Sequence, residues 1–171
     1  YRNKFMLFKK ILILVCLLIF SSNSFANTPR STGKYKNWQS FTTETEGGKI
    51  CFAQTLPTRR APAAVKRGKS KLFVTFRPSE NIKDEISITS GHAYKASTVT
   101  AKSGKRSYSF FSKENFAWIL DDQEEKKFIK LMKKATDVIV KARTVKGAET
   151  TDHYSMMGFT KAYNTAKKNC S

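Results

Sequence analysis

The closing segment of the chain reads Thr150-Thr151-Asp152-His153-Tyr154-Ser155-Met156-Met157-Gly158-Phe159-Thr160-Lys161-Ala162-Tyr163, and a cysteine follows at Cys170. Tyr154 and Met156 would share one face of a strand, because side chains alternate with a period of two. The apolar residues that follow recur at helical spacing: Phe159, Ala162, Tyr163 and Ala166. Gly158 separates the two patterns. The segment therefore predicts a closing strand, a glycine break and a short C-terminal helix.

Two cysteines can connect this segment to the beginning of the domain. Cys170 ends the predicted helix, and Cys51 lies near the other end of the chain. The third cysteine, Cys16, falls in a segment that we expect to be removed, which leaves an even pair. We predict a Cys51–Cys170 disulfide, and the chain-entropy model gives it about 4 to 5 kcal/mol of stabilisation. A redox pair is the alternative, but the spacing is not C-x-x-C.

The first 26 residues have the layout of a secretory signal peptide. Basic residues are followed by an apolar run over 11–20 and by small residues at Ser24 and Ala26, which predicts cleavage after Ala26. A membrane anchor is the alternative, yet the run is shorter than the roughly 20 apolar residues that span a bilayer. We expect a flexible leader over 27–36 and a single β-rich domain over 37–171. The protein would be exported, and either periplasmic or outer-membrane associated.

The chain is strongly basic. It holds 32 lysine and arginine residues against 13 acidic residues, for a formal net charge of +19, of which +15 would remain without residues 1–26. Such a surface attracts polyanions, including acidic lipid head groups, lipopolysaccharide and nucleic acid. Lysine outnumbers arginine 24 to 8. Composition bias on a solvated surface gives that excess too, whereas phosphate recognition favours arginine. Both explanations stay open at this stage.

Short alternating runs separated by turn residues dominate the middle of the chain. They predict strands near Trp38 and over 49–56, 72–76, 86–88, 95–102, 108–110 and 137–144. Asp121 is placed to cap a helix, because acidic residues follow it and lysines close the predicted last turn. The order predicts a mainly β fold, an antiparallel β-sandwich-like or barrel-like domain with one inserted helix and a short C-terminal helix.

The segment 57–71 interrupts the strand pattern. It contains two prolines, one glycine and no acidic residue. Its basic side chains are the candidate anion-binding residues: Arg59, Arg60, Lys66, Arg67, Lys69 and Lys71. We predict a long exposed loop, which would be either a basic binding patch or a solvated insertion.

No combination of residues in the sequence indicates a particular reaction. His92 and His153 have no carboxylate or thiol beside them at metal-ligand spacing, so we expect no metal, no cofactor and no catalytic residue. A hydrolase that uses Asp152 or His153 is the alternative. Several aromatic residues lie among basic ones: Tyr94, Tyr108, Phe110, Phe111 and Phe116. Such an arrangement can stack nucleic-acid bases, but the strand spacing favours core packing.

Several stretches carry a family resemblance: Tyr35-Lys36-Asn37-Trp38, Ile50-Cys51-Phe52-Ala53, 81–88, 91–95 and, above all, 149–159 with Cys170. In these stretches the sequence resembles the invasion-associated locus B family of proteobacterial envelope proteins, in its shorter form. Ala93 and Met157 depart from the pattern, since a proline and a small polar residue are more usual there.

The resemblance implies an exported envelope protein, linked by the family's name to entry into host cells, with no established catalytic residues to carry over. Together with the charge, it predicts a non-enzymatic envelope or periplasmic protein. We expect this protein to bind an anionic envelope component, an envelope protein or a host-surface partner through a basic face. The alternatives are a periplasmic hydrolase of unknown substrate and a nonspecific polyanion or nucleic-acid binder.

Overall fold

A computed structural model describes residues 28–171, so the predicted signal peptide and its cleavage after Ala26 lie outside the described residues. The strands are β1 (Arg30–Tyr35), β2 (Trp38–Thr45), β3 (Gly48–Thr55), β4 (Arg59–Ala61), β5 (Lys71–Arg77), β6 (Ile82–Thr89), β7 (Val99–Ser103), β8 (Arg106–Lys113), β9 (Phe116–Trp118), β10 (Asp137–Arg143) and β11 (Glu149–Ser155). The α-helices are α1 (Asp122–Met132) and α2 (Phe159–Asn169). No helix in this part of the chain is long and apolar enough to cross a membrane.

The strands form one antiparallel sheet in the order β1-β2-β3-β5-β6-β9-β8-β7-β10-β11-β4. The sheet curls, because the chain before β2 bonds to the chain after β11. The Asn37 amide donates to the Met157 carbonyl oxygen at 3.2 Å, and Trp38 Nε1 donates to the Ser155 carbonyl oxygen at 2.9 Å. The prediction of a mainly β fold with an inserted helix and a short C-terminal helix is confirmed.

Helix α2 packs on the inner face of β1, β2 and β3. The Trp38 and Phe159 ring centroids lie 4.8 Å apart, and both side chains are fully buried. The predicted disulfide between Cys51 and Cys170 is present and joins β3 to the end of α2. Gly158 precedes the helix with a φ of 96°, and a Cβ there would collide with the carbonyl oxygen of Tyr35. Only glycine fits this junction.

Helix α1 begins as the sequence predicts. The Asp121 carboxylate accepts hydrogen bonds from the amides of Gln123 at 2.9 Å and Glu124 at 2.8 Å, so two of the unpaired amides at the helix start are satisfied. The buried residues of the helix are Phe128, Ile129 and Met132. Leu131, next to Met132 in the chain, is half-buried.

The predicted flexible leader over 27–36 is replaced in the described residues by strand β1. This strand pairs with β2 from Arg30↔Thr42 to Tyr35↔Trp38. The Tyr35 hydroxyl also lies 2.9 Å from Thr165 Oγ1 of α2. The strand is polar and lies at the edge of the sheet. It therefore lacks the apolar alternation that reveals inner strands in a sequence.

Candidate functional site

The basic segment 57–71 begins as β4, at the edge of the sheet. Its three residues pair with 151–153 of β11, and the Thr58 amide donates to the His153 carbonyl oxygen at 2.7 Å. Further on, the Gly68 amide donates to the Gly91 carbonyl oxygen at 2.7 Å. The predicted long exposed loop is therefore interrupted by a short edge strand, and residues 62–70 remain irregular and mostly exposed but are tethered to the rest of the protein. A strand of three residues is too short to show a period in the sequence.

Arg67 and Asp152 form a buried ion pair between this segment and β11. Their side chains are 2% and 1% exposed, and Nη1 of Arg67 donates to Oδ2 of Asp152 at 2.8 Å. Nη2 lies 2.6 Å from Oδ1, although the two atoms are not aligned for a hydrogen bond. The guanidinium also donates to the carbonyl oxygens of Ser90 at 3.1 Å and Ala61 at 3.3 Å. The ion pair therefore fastens the irregular part of the segment to the protein interior.

This ion pair changes the interpretation of two residues that the sequence predicts as candidate functional residues. Arg67 is a predicted anion-binding residue, but its charge is already paired inside the protein with Asp152. Asp152 is a candidate of the hydrolase alternative, and the same burial removes its carboxylate from solvent. Neither side chain is placed to meet a ligand from outside.

The other cations of the segment lie at the surface. Arg59, Arg60, Lys66 and Lys69 are exposed and form what we call the basic edge. Arg59 Nη2 lies 2.8 Å from Nε2 of His153, and Arg60 donates to the Gly68 carbonyl oxygen. The two arginines are therefore oriented by the fold while their side chains stay open to solvent.

Lys71, the last predicted anion-binding residue, is separate from the basic edge. It begins β5, is half-buried, and its Nζ lies 5.6 Å from the centre of the Phe73 ring. Such a contact between an ammonium group and a ring face is weakly attractive. The structure therefore leaves four of the six predicted residues exposed on one segment and gives Arg67 and Lys71 other roles.

A polar cluster lies beneath the segment. The Tyr94 hydroxyl donates to Ser90 Oγ at 3.0 Å, and burial raises the pKa of Tyr94 to about 12. His92 Nε2 lies 2.9 Å from Oγ1 of Thr150. Both histidines therefore have hydrogen-bonding partners from neighbouring segments. Within residues 28–171 there is no group of three or more histidine, cysteine or acidic residues that could hold a metal ion.

The five aromatic residues that the sequence places among basic ones divide into two groups. Tyr94, Tyr108 and Phe110 are buried, as core packing requires. Phe111 and Phe116 are 52% and 43% exposed. The expectation of core packing is therefore confirmed for three of the residues and wrong for two, which lie on the outer face of the sheet.

A cleft of about 600 Å³ lies away from the basic edge, between the start of β6 and the start of α1. Residues 81–85 form one side, and residues 118–120 with the first turn of α1 form the other. Glu125 lies in this cleft, and its Oε1 accepts a hydrogen bond from the Ile86 amide at 2.6 Å. From the sequence, Glu125 is only one of the acidic residues that stabilise the first turn of the helix. Its neighbours in the chain do not indicate that β6 lies beside it.

Burial raises the pKa of Glu125 to about 7, and the Ile86 hydrogen bond lowers it only in part. The neighbouring carboxylates of Glu85, Asp122 and Asp84 raise it further. A carboxylic acid whose pKa is raised in the folded state binds more protons there than in the unfolded chain. From about pH 4.5 to about pH 7, Glu125 therefore makes the free energy of unfolding fall as the pH rises.

Glu125→Gln should therefore gain stability relative to the unmodified protein as the pH rises through this window, and keep that gain above pH 7. Urea denaturation of both proteins at intervals from pH 4 to pH 8.5 measures the difference. Glu124→Gln is the control, because Glu124 is exposed and pairs with Lys127. A stability difference for Glu125→Gln that does not change with pH would contradict the prediction.

No family model, no curated protein and no solved structure matches this chain. The structure defines the class of protein: it is a β-rich domain whose β3 and C-terminal helix are joined by a disulfide, and it carries the basic edge on an anchored segment. The likeness to the invasion-associated locus B family stays a prediction that rests on the quoted stretches of sequence.

Proposed function

We propose that this protein is an exported, non-enzymatic component of the bacterial cell envelope that binds an anionic envelope component through the basic edge. The observation that supports this most strongly is the contrast within one segment. Arg67 is buried and anchors the backbone, while Arg59, Arg60, Lys66 and Lys69 remain exposed. The segment itself contains no acidic residue, and the nearby Asp152 of β11, 3.9 Å from Arg60 Nε, is already paired with Arg67.

The anchoring matters for affinity. Binding costs free energy when a mobile segment has to be ordered, and a segment that is already held by its own contacts avoids much of that cost. Here the β4 pairing, the Gly68–Gly91 hydrogen bond and the ion pair of Arg67 hold the backbone. The basic edge has two arginines on this ordered backbone. Arginine is well suited to bind phosphate groups, because a guanidinium can bind two phosphate oxygens at once. Anionic lipids and lipopolysaccharide present such groups.

Export is supported by two independent features. The order of charges, apolar residues and small residues over 1–26 is that of a signal peptide. The Cys51–Cys170 bond is of the kind that persists in oxidising compartments. The resemblance to an envelope family agrees with both features.

Binding to vesicles tests the proposal. Arg59, Lys66 and Lys69 are changed together to glutamate. Arg60 and Arg67 are left in place, because both guanidinium groups lie beside the buried carboxylate of Asp152. Each basic residue near an anionic membrane contributes about 1 kcal/mol, so binding to phosphatidylglycerol vesicles should fall at least about a hundredfold. Co-sedimentation over a series of lipid concentrations measures the change.

The control variant carries the same change of net charge elsewhere on the surface. It replaces three exposed basic residues with glutamate: Lys105, Lys146 and Lys161. The proposal expects the control to bind far better than the basic-edge variant. Equal losses would mean that total charge attracts the protein to the vesicles, and the basic edge would be rejected as a site. Association with DNA that ignores sequence and falls steeply with salt would likewise indicate charge alone.

A further inference from the structure

The outer face of the sheet carries a group of apolar side chains near β9, of which Phe111, Phe116 and Leu120 are exposed and Trp118 is half-buried. Phe111 of β8 and Trp118 of β9 are directly opposite each other, so their side chains share one face. Phe116 stacks on Trp118 with 6.0 Å between ring centroids. Leu120, which follows β9, is 72% exposed. We call these four residues the aromatic patch; contiguous exposed apolar groups of this kind mark interaction sites.

The aromatic patch continues into the cleft beside α1, because Trp118 and Leu120 also line that cleft. The cleft is also acidic: of the 13 acidic residues of the chain, four line it, with Asp84 and Glu85 on the β6 side and Asp122 and Glu125 on the α1 side. Two lysines line it as well, Lys83 and Lys126. The cleft thus reverses the charge balance of the chain, which has 32 basic residues.

The carboxylates of the cleft differ in what they can offer a ligand. Glu85 accepts hydrogen bonds from Arg77 at 2.9 and 3.1 Å, and Asp84 accepts one from the Tyr163 hydroxyl. Internal partners therefore engage these two groups. Asp122 and Glu125 stand at the start of α1, on the side of the cleft next to Leu120. Asp122 is exposed, whereas Oε1 of Glu125 already accepts a hydrogen bond from the Ile86 amide. A cation that enters the cleft would meet Asp122 and the partly engaged carboxylate of Glu125 beside an apolar wall.

The backbone beside the cleft does not present the regular row of free hydrogen-bonding groups to which a partner strand could pair. Strand β6 pairs with β9 through Ser87 and Ile88 only, and the Ile86 amide is already bound by Glu125. Asp84 has a φ of 65°, which interrupts the extended conformation of the strand. A partner would therefore be recognised by its side chains and not mainly by addition of a strand.

We propose that the aromatic patch and the adjoining cleft bind an extended segment of a partner protein in which basic side chains alternate with apolar ones. The basic side chains lie against Asp122 and Glu125, and the apolar ones cover Leu120 and the ring of Trp118. Charge complementarity selects this occupant, because the excess of basic residues over the chain repels a cationic segment elsewhere. Strand β4, which carries the basic edge, is not a neighbour of β9 in the sheet. The inference is therefore independent of the envelope proposal.

Intrinsic fluorescence gives a direct probe. The protein has two tryptophans, and Trp38 is fully buried, so a ligand in the cleft changes chiefly the emission of Trp118. The probe ligand is a short synthetic peptide of alternating lysine and leucine. A lysine–serine peptide has the same charge without the apolar groups, and a glutamate–leucine peptide reverses the charge. The lysine–leucine peptide should bind at least about tenfold more tightly than either, since both kinds of contact are needed.

A matched pair of variants locates the site. Leu120→Ser with Asp122→Asn removes one exposed apolar side chain and one carboxylate from the cleft. Val145→Ser with Glu46→Gln makes the same chemical changes at exposed positions elsewhere. The affinity of the lysine–leucine peptide should fall at least about tenfold in the cleft variant and stay unchanged in the control.

Three results would overturn the inference. The first is an absence of binding by the lysine–leucine peptide, and the second is equal affinity in the two variants. The third concerns a second copy of the chain as occupant. If sedimentation shows self-association that the cleft variant abolishes and the peptide does not displace, the patch is an interface between copies and the partner-segment assignment is wrong.

Discussion

Replacing both Cys51 and Cys170 with alanine is expected to lower the free energy of unfolding by about 4 to 5 kcal/mol. The two residues are 119 positions apart in the chain, so the bond closes a very long loop. In the chain-entropy model, such a closure removes many conformations from the unfolded state and destabilises it accordingly. The loss is large beside the total stability of about 5 to 15 kcal/mol that is usual for a domain.

Urea denaturation of the variant and of the unmodified protein measures this loss. Cys51 is fully buried, so alanine also leaves a small space where the sulfur was. The unmodified protein in reducing buffer is the control, because it loses the bond and keeps both sulfur atoms. A reduced protein as stable as the oxidised one would contradict the prediction. Helix α2 would then be held by packing alone, chiefly through Phe159 and Tyr163.

The second large effect is expected from Arg67→Met, which should cost about 3 to 5 kcal/mol of unfolding free energy. The substitution removes the closer of the two cations beside the buried carboxylate of Asp152 and leaves only Arg60, whose Nε lies 3.9 Å from Oδ1. A poorly compensated charge in the interior is strongly unfavourable. It also removes the hydrogen bonds to the carbonyl oxygens of Ser90 and Ala61. The turn that follows β4 should come away from the sheet.

The double variant Arg67→Met with Asp152→Leu separates the cost of a lone charge from the value of the pair. Apolar residues of similar volume often replace a buried ion pair without loss, so much of the stability should return. A double-mutant cycle with Asp152→Leu as the second single variant gives the coupling energy. If Arg67→Met lost less than about 1 kcal/mol, the turn would not depend on the ion pair and its anchoring role would be wrong.

Much of the fold follows from local patterns that the sequence displays. Inner strands such as β5, with Leu72, Val74 and Phe76 alternating inward, are visible because one face must be apolar. Asp121 indicates the start of α1, because its side chain caps amides that are only two and three residues further along the chain. Strands β1, β4 and β9 cannot be predicted in this way. Strand β1 is a polar edge strand, and β4 and β9 have only three residues each, so none of them shows a detectable apolar period.

The candidate site was harder to predict because it depends on contacts between distant residues. Six cations in the segment 57–71 look alike in sequence, and only the fold shows that Arg67 meets Asp152, 85 residues away. One signal was present. Asp152 lies between Thr150 and Tyr154 at the buried period of the closing strand, and a buried carboxylate requires a cation or several donors. The cleft gave no such signal, because its two sides come from β6 and α1.

If the basic edge binds anionic groups, as we propose, the binding should be visible in the backbone amide resonances when a short-chain phosphatidylglycerol is added to the protein. We predict that the largest chemical-shift changes fall within residues 58–70, where the four exposed cations lie, and that they saturate with a single affinity. Changes of similar size at other basic places, such as Lys105 and Arg106 in the turn at 103–106 or Lys167 and Lys168 at the end of α2, would contradict the proposal.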